Sequence, residues 1–199
     1  MIIEALILKA VCVFCGSSDG VQPEFRAAAS ALGSYLGERG IDVVYGGASV
    51  GLMGAVADAA LAAGGRVFGV IPRHLVDREL AHPGLTHLHV TENMHERKAL
   101  MAQLSDAFAA LPGGFGTLEE LAEVTTWAQL GLHHKPIGLL NVAGFYDLFL
   151  QHADRMVTNG FLPFEHRRLL VTASSPADLL AGLRAFQPLA TGKWQPPQR

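Results

Sequence analysis

Seven short, nearly continuous apolar runs alternate with longer amphipathic stretches from one end of this chain to the other. The runs are Ala10–Phe14, Ile41–Tyr45, Arg66–Ile71, Thr86–Val90, Ala107–Leu111, Ile137–Leu140 and Leu169–Thr172. Runs of this length without strict polar alternation suit strands covered on both faces, as in parallel sheets. The intervening stretches carry helical periodicity. Over Pro23–Arg39, residues Phe25, Ala28, Ala29, Leu32, Tyr35 and Leu36 fall on one stripe, and Gly40 ends it. Helices are expected likewise over Val50–Ala63, Asn93–Ser105, Thr117–Leu130, Phe145–Asn159 and Pro176–Phe186. The alternation predicts an α/β fold: a single-domain, doubly wound (Rossmann-like) parallel sheet with helices on both faces. Ligands of such sheets bind beyond the carboxyl ends of the strands.

Composition bounds the rest. The 199 residues are half hydrophobic, enough for one full core. Residues 1–8 read as an N-terminal extension, 9–186 as one Rossmann-like domain, and 187–199 as a polar, proline-rich tail expected to be mobile. Pro72–Leu85 reads as a long irregular connection, broken by Pro72, Pro83 and Gly84. Charged residues are 17% of the chain and the net charge is −3, so no basic surface invites nucleic acid. Met1–Leu8 is apolar but interrupted by Glu4, and is far shorter than the roughly 20 residues of a membrane span. It lacks the basic start and small-residue cleavage site of a secretory signal. No membrane association and a cytoplasmic location are expected.

Three of the predicted strands end in turns of small residues that would open on the same sheet edge: Cys15-Gly16-Ser17-Ser18, Gly46-Gly47-Ala48-Ser49 and Pro112 to Thr117. The last belongs to Leu111-Pro112-Gly113-Gly114-Phe115-Gly116-Thr117-Leu118-Glu119-Glu120. Glycines between a strand and a helix let backbone N–H groups turn toward a ligand without Cβ interference. The helix start adds unpaired donors and a partial positive charge, which suit a phosphate. Two carboxylates are expected in the first helical turn beside that phosphate. With no global attraction for anions, local groups must hold the ligand.

Glu120 has two readings. Thr117-Leu118-Glu119-Glu120 fits a capping box, with Thr117 as N-cap and Glu120 reaching back to its N–H. Alternatively, Glu120 is a carboxylate that activates water or steadies a cationic transition state. Asn93 to Met101 is similarly double. With Asn93 as N-cap, Met94, Arg97, Lys98 and Met101 share one helical face. Two cations so near a helix N-terminus oppose the macrodipole. Either they form a solvated pair offset by Glu92 and Glu96, or they lie on a partly buried face with the methionines and Leu104.

Other chemistry finds less support. Cys12 and Cys15 form a C-x-x-C, but on a strand their Cα atoms would stand roughly 10 Å apart. A disulfide tolerates about 7 Å at most, so they read as small buried residues. His87-x-His89 and His133-His134 have no third ligand at metal-site spacing, so no metal is expected. His133-His134 sits near a helix end, where the dipole favours imidazolium. Gly47-x-x-x-Gly51-x-x-Gly54 lacks the spacing of a dinucleotide fingerprint. No nucleophile elbow is present, and no lysine for pyridoxal phosphate can be picked out. No cofactor is expected.

Pro112-Gly113-Gly114-x-Gly116-Thr117-x-x-Glu120 together with Met94-x-x-Arg97-Lys98 resembles the LOG (Lonely Guy) family of cytokinin riboside 5′-monophosphate phosphoribohydrolases, often labelled possible lysine decarboxylases. The resemblance runs from about Lys9 to Phe186. It takes in Cys15-Gly16-Ser17-Ser18, Tyr45-Gly46-Gly47, Gly51-Leu52-Met53-Gly54 and Thr126-Trp127-Ala128-Gln129-Leu130-Gly131. It implies cleavage of the N-glycosidic bond of an adenine-type nucleoside monophosphate to free base and ribose 5-phosphate. It implies Arg97 and Glu120 as the catalytic pair. Gly113, Gly114, Phe115, Gly116, Thr117, Leu118 and Glu119 would hold phosphate and ribose. Glu79, Lys98 and Thr126 would complete the nucleotide contacts, with Ser17, Gly46, Gly47 and Met94 beside them. A homodimer with active sites near the subunit contact is also implied. Phe115 and Phe25 stand where many relatives carry tyrosine, a departure that bears on fine specificity. The alternative is a non-catalytic nucleotide-binding or carrier protein using the same cradle.

Overall fold

The computed structural model describes residues 6–76 and 81–189. Its strands are β1 (Ala10–Phe14), β2 (Asp42–Tyr45), β3 (Val67–Pro72), β4 (His87–Thr91), β5 (Ala107–Ala110), β6 (Ile137–Leu140) and β7 (Leu170–Ala173). They form one sheet in the order β4-β3-β2-β1-β5-β6-β7, and every pairing is parallel. The winding direction reverses between β1 and β5, where Val11 is in register with Val43 on one side and Ala107 on the other. That reversal opens the crevice in which doubly wound sheets bind ligands.

The helices are α1 (Pro23–Gly37), α2 (Gly51–Ala62), α3 (Arg73–Val76), α4 (Met94–Gln103), α5 (Phe115–Gln129), α6 (Asp147–Thr158), α7 (Phe164–Arg167) and α8 (Pro176–Arg184), with a 3-10 turn at Val142–Gly144. Successive side chains of a strand point to opposite faces, and the two cores divide accordingly. Val11 and Val13 meet Leu32 and Leu36 of α1, Val56 and Ala60 of α2, and Leu179 and Leu183 of α8. Cys12 and Phe14 meet Met101 of α4 and Leu121 and Val124 of α5 on the other face. Helices therefore cover both faces, as the near-continuous apolar runs require.

Strand ends differ from the sequence expectation by one residue at most. The connection expected to be irregular from Pro72 opens instead into α3, and the strap returns as Ala81 bridges Ala48. Neither α7 nor the 3-10 turn is signalled by periodicity, because each is a single turn or less. Near the N-terminus, Leu6 N–H donates to Arg184 O (3.1 Å) and Leu8 is buried in the first core. Cys12 and Cys15 are free and buried. No helix among the described residues is long and apolar enough to cross a membrane. The expected mobile tail falls almost wholly outside the described residues.

Candidate active site

The three small-residue turns do converge. Gly16 N–H donates to Pro112 O (3.0 Å) and Gly16 O accepts from Leu52 N–H (3.1 Å), tying the β1 turn to the β5 turn and to the start of α2. Gly16 and Gly113 come so close that a side chain at Gly113 would strike both Gly16 and Thr117. Above them opens a cleft of about 440 Å³, within the usual range for small-molecule sites. Its walls include Ser17, Gly46, Met94, Arg97, Gly114, Phe115, Gly116, Thr117, Glu119 and Glu120.

Helix α5 starts two residues earlier than the sequence reading had it. Gly114 is the N-cap, in extended backbone, and no side chain caps the helix. Thr117 is thus not the cap; it is buried in the first turn, its hydroxyl beneath Gly113. The capping-box reading of Glu120 fails for the same reason. Nor do Glu119 and Glu120 sit in the first turn, which holds no acid at all. The displacement favours an anion: the leading N–H groups of α5 face the cleft with no carboxylate among them. Side chains built at Gly114 and Gly116 would meet nothing within 4 Å, so both positions border open space.

Helix α4 supplies the opposing wall. Asn93 caps it, its Oδ1 accepting from Glu96 N–H (2.9 Å), and Glu96 reaches back to Glu92 N–H (3.1 Å). Arg97 and Lys98 are 8% and 9% exposed, which decides against a solvated pair. Arg97 Nη2 stands 3.5 Å from Glu120 Oε1, its Nη1 approaches Met94 Sδ (3.7 Å), and its buried Nε has no partner among the described residues. Gly46 makes room for that guanidinium, because a Cβ there would overlap it and Met53. Burial pushes the Glu120 carboxyl up to about 7; Arg97 and Lys98 pull it down, while Glu119 and Glu123 push it further up. Lys98 Nζ donates to Glu119 and to Glu123 Oε1 (3.0 Å). Burial works against the ammonium, but these bonds more than offset it, and its pKa is raised.

The remaining sequence-derived candidates divide. Gly47 lies buried behind the cleft in left-handed backbone, its carbonyl accepting from His82 N–H (2.9 Å). Gly113 lines an adjoining hollow with Phe25 and Phe145. Leu118 turns into the lower core. Thr126 is exposed away from the cleft and donates to Ala122 O (2.7 Å). Glu79 lies outside the described residues. Phe115 is 92% exposed at the mouth. His133, read as a candidate imidazolium, is instead disfavoured as a cation by burial, despite its contact with Val124 O. Sequence reasoning overlooked Val50, Ile71 and Leu75 in the wall, and noted Cys15 and Met53 within motifs without making them site residues. Ile71 stood at the carboxyl end of a predicted strand, which was signal enough. It also overlooked Glu123, one helical turn beyond Glu119.

A model of proteins described as possible lysine decarboxylase matches residues 53–183. The chain is 53% identical over 180 residues to the probable cytokinin riboside 5′-monophosphate phosphoribohydrolase LOGL5 of Oryza sativa subsp. japonica, covering 90% of this chain and 73% of that one. It is 51% identical to the cytokinin riboside 5′-monophosphate phosphoribohydrolase LOG7 of Arabidopsis thaliana, covering 90% and 83%. The chain belongs to the LOG family. Among solved structures, TM1055 superposes with a TM-score of 0.69 at 23% identity, covering 89% of this chain and 99% of that one. The molybdenum cofactor binding protein of Rippkaea orientalis gives 0.67 at 20%, covering 91% and 98%. At those identities the likeness shows the fold alone, so the LOG assignment stands on the closer relatives.

Proposed function

We propose that this LOG-family chain hydrolyses the N-glycosidic bond of adenine-type riboside 5′-monophosphates, giving free base and ribose 5-phosphate. One observation carries the reading: Arg97 and Glu120, from different helices, meet at 3.5 Å in a cleft that also receives the N-terminus of α5. The 5′-phosphate sits at that N-terminus, against the N–H groups from Phe115 to Thr117 and the hydroxyl of Ser17. The ribose then lies over the Arg97–Glu120 pair, and the base faces Met53, Ile71, Leu75 and Met94.

When the bond from C1′ to the base breaks, its electrons leave with the base and positive charge builds on the ribose, as in other glycosidic cleavages. The Glu120 carboxylate steadies that charge and takes a proton from the attacking water as its oxygen bonds to C1′; the departing base, which carries the electron pair, takes up one proton, so that the elements of water are divided between ribose 5-phosphate and free base. Arg97 holds substrate and Glu120 together by charge-assisted hydrogen bonds. A carboxyl near 7 exchanges its proton readily at neutral pH, which suits this cycle.

Thr126 does not line this chain's own cleft, and it stands one helical turn from the exposed Leu130. Both facts support a homodimer in which that surface meets a second copy. The setting is cytoplasmic, with no nucleic acid partner. Comparing AMP, adenosine and isopentenyladenosine monophosphate as substrates tests the phosphate cradle: base release from both nucleotides and little from adenosine is expected. Equal turnover of adenosine would contradict the placement of the phosphate.

A further inference from the structure

Glu123 lies outside the cleft wall, yet it is tied to both helices that build it. Arg97 and Lys98 are consecutive on α4; Glu119 and Glu120 are consecutive on α5. Lys98 reaches across to Glu119 and Glu123, and Arg97 reaches across to Glu120. One Glu123 oxygen accepts from Lys98 at 3.0 Å, and the other is buried with no partner among the described residues. Lys98 is therefore the cation that compensates Glu123.

The cluster holds two cations and three carboxylates, so its members compete. A lysine whose N–H groups are taken by Glu119 and Glu123 is held away from hydrogen-bonding a third carboxylate, although its field still reaches Glu120. We propose that Glu123 is a positioning residue: by clamping Lys98 onto α5 it fixes Arg97 against Glu120 and keeps the ammonium from pairing directly with the Glu120 carboxyl. The proposal rests on the hydrolase reading above. Glu120 is faced by Arg97 and Lys98 from α4, by Glu119 and Glu123 from its own helix, and by the buried thiols of Cys12 on β1 and Cys15 in the turn after it.

Glu123→Gln removes the charge but leaves an amide oxygen to accept from Lys98. Its unfolding temperature is expected to stay near wild type. Its kcat on AMP should fall by about tenfold, with KM changed by no more than about twofold, because a small misplacement of reacting groups is costly. The ascending limb of kcat/KM, set by Glu120, should move to lower pH, since Glu123 is among the groups that raise that carboxyl. Glu123→Ala should lose more kcat, and Glu123→Asp should restore part of it. A second readout needs no turnover: the carbon-13 carboxyl shift of Glu120, titrated in the wild type and in Glu123→Gln, should show a lower midpoint in the variant. Wild-type kcat with superimposable pH profiles would overturn the proposal, as would coincident titration midpoints. Failure of the wild type to release base would reject the hydrolase reading, and the titration would still decide the role of Glu123.

Discussion

Glu120 Oε1 and Arg97 Nη2 stand 3.5 Å apart with both side chains nearly sealed from solvent, although 22 positions separate them and each comes from a different helix. Gly46 is what lets them meet, by leaving room for the guanidinium. The site is thus a contact between α4 and α5 framed by the turn after β2, and each part makes a separate prediction.

Gly46→Ala should displace Arg97 and Met53. Both are ends of flexible side chains beside the open cleft and can give way, so the fold should lose only about 1 kcal/mol, the low end of overpacking costs. Activity on AMP should fall more than about tenfold, because the guanidinium moves with the methyl group. Thermal unfolding and steady-state kinetics on the same preparation check both.

Gly114→Ala should act on substrate binding instead. Its backbone is extended and its Cβ would meet no protein atom. The fold should lose no more than about 1 kcal/mol, the scale of a helix N-cap change. The methyl group would enter the space assigned to the phosphate, raising KM for AMP by about tenfold or more while circular dichroism stays unchanged.

Stability should depend on pH through Glu120. Its folded-state pKa, about 7, lies above the ordinary carboxyl value, so the native state holds the proton more tightly than the unfolded chain does. Between about pH 4.5 and 7 the native state binds more protons, and stability must fall as pH rises through that window. The free-energy difference between wild type and Glu120→Gln should therefore drift against wild type by roughly 3 kcal/mol from pH 4.5 to 8, at 1.36 kcal/mol per unit. Arg97, losing its counter-ion in the variant, adds an offset that does not change across that range. Denaturant unfolding of both proteins at several pH values measures the drift; a flat difference would contradict the buried-acid assignment.

The parallel sheet was legible because each strand is an apolar run bounded by breakers, and the carboxyl-edge site followed from three glycine-rich turns at strand ends. The α4 stripe was legible too: Asn93 as cap and Met94, Arg97, Lys98 and Met101 at helical spacing. What sequence pattern misplaced was the start of α5. Thr117 and Glu120 satisfy a local capping rule, but tertiary burial of Thr117 beneath Gly113 and the pull of Arg97 on Glu120 override it. The Lys98 clamp was hidden for a related reason. Pairing across two helices depends on how they lie on the sheet, and no local period reports that.

Adenine release from AMP by the wild type and by Glu120→Gln, measured side by side by chromatography, tests the central claim most directly. The wild type should yield adenine and ribose 5-phosphate in equal amounts, and the folded variant should lose at least about a thousandfold in kcat/KM, as expected when a transition-state charge partner is removed. Release that survives in Glu120→Gln, or no release from either protein while both remain folded, would contradict the account.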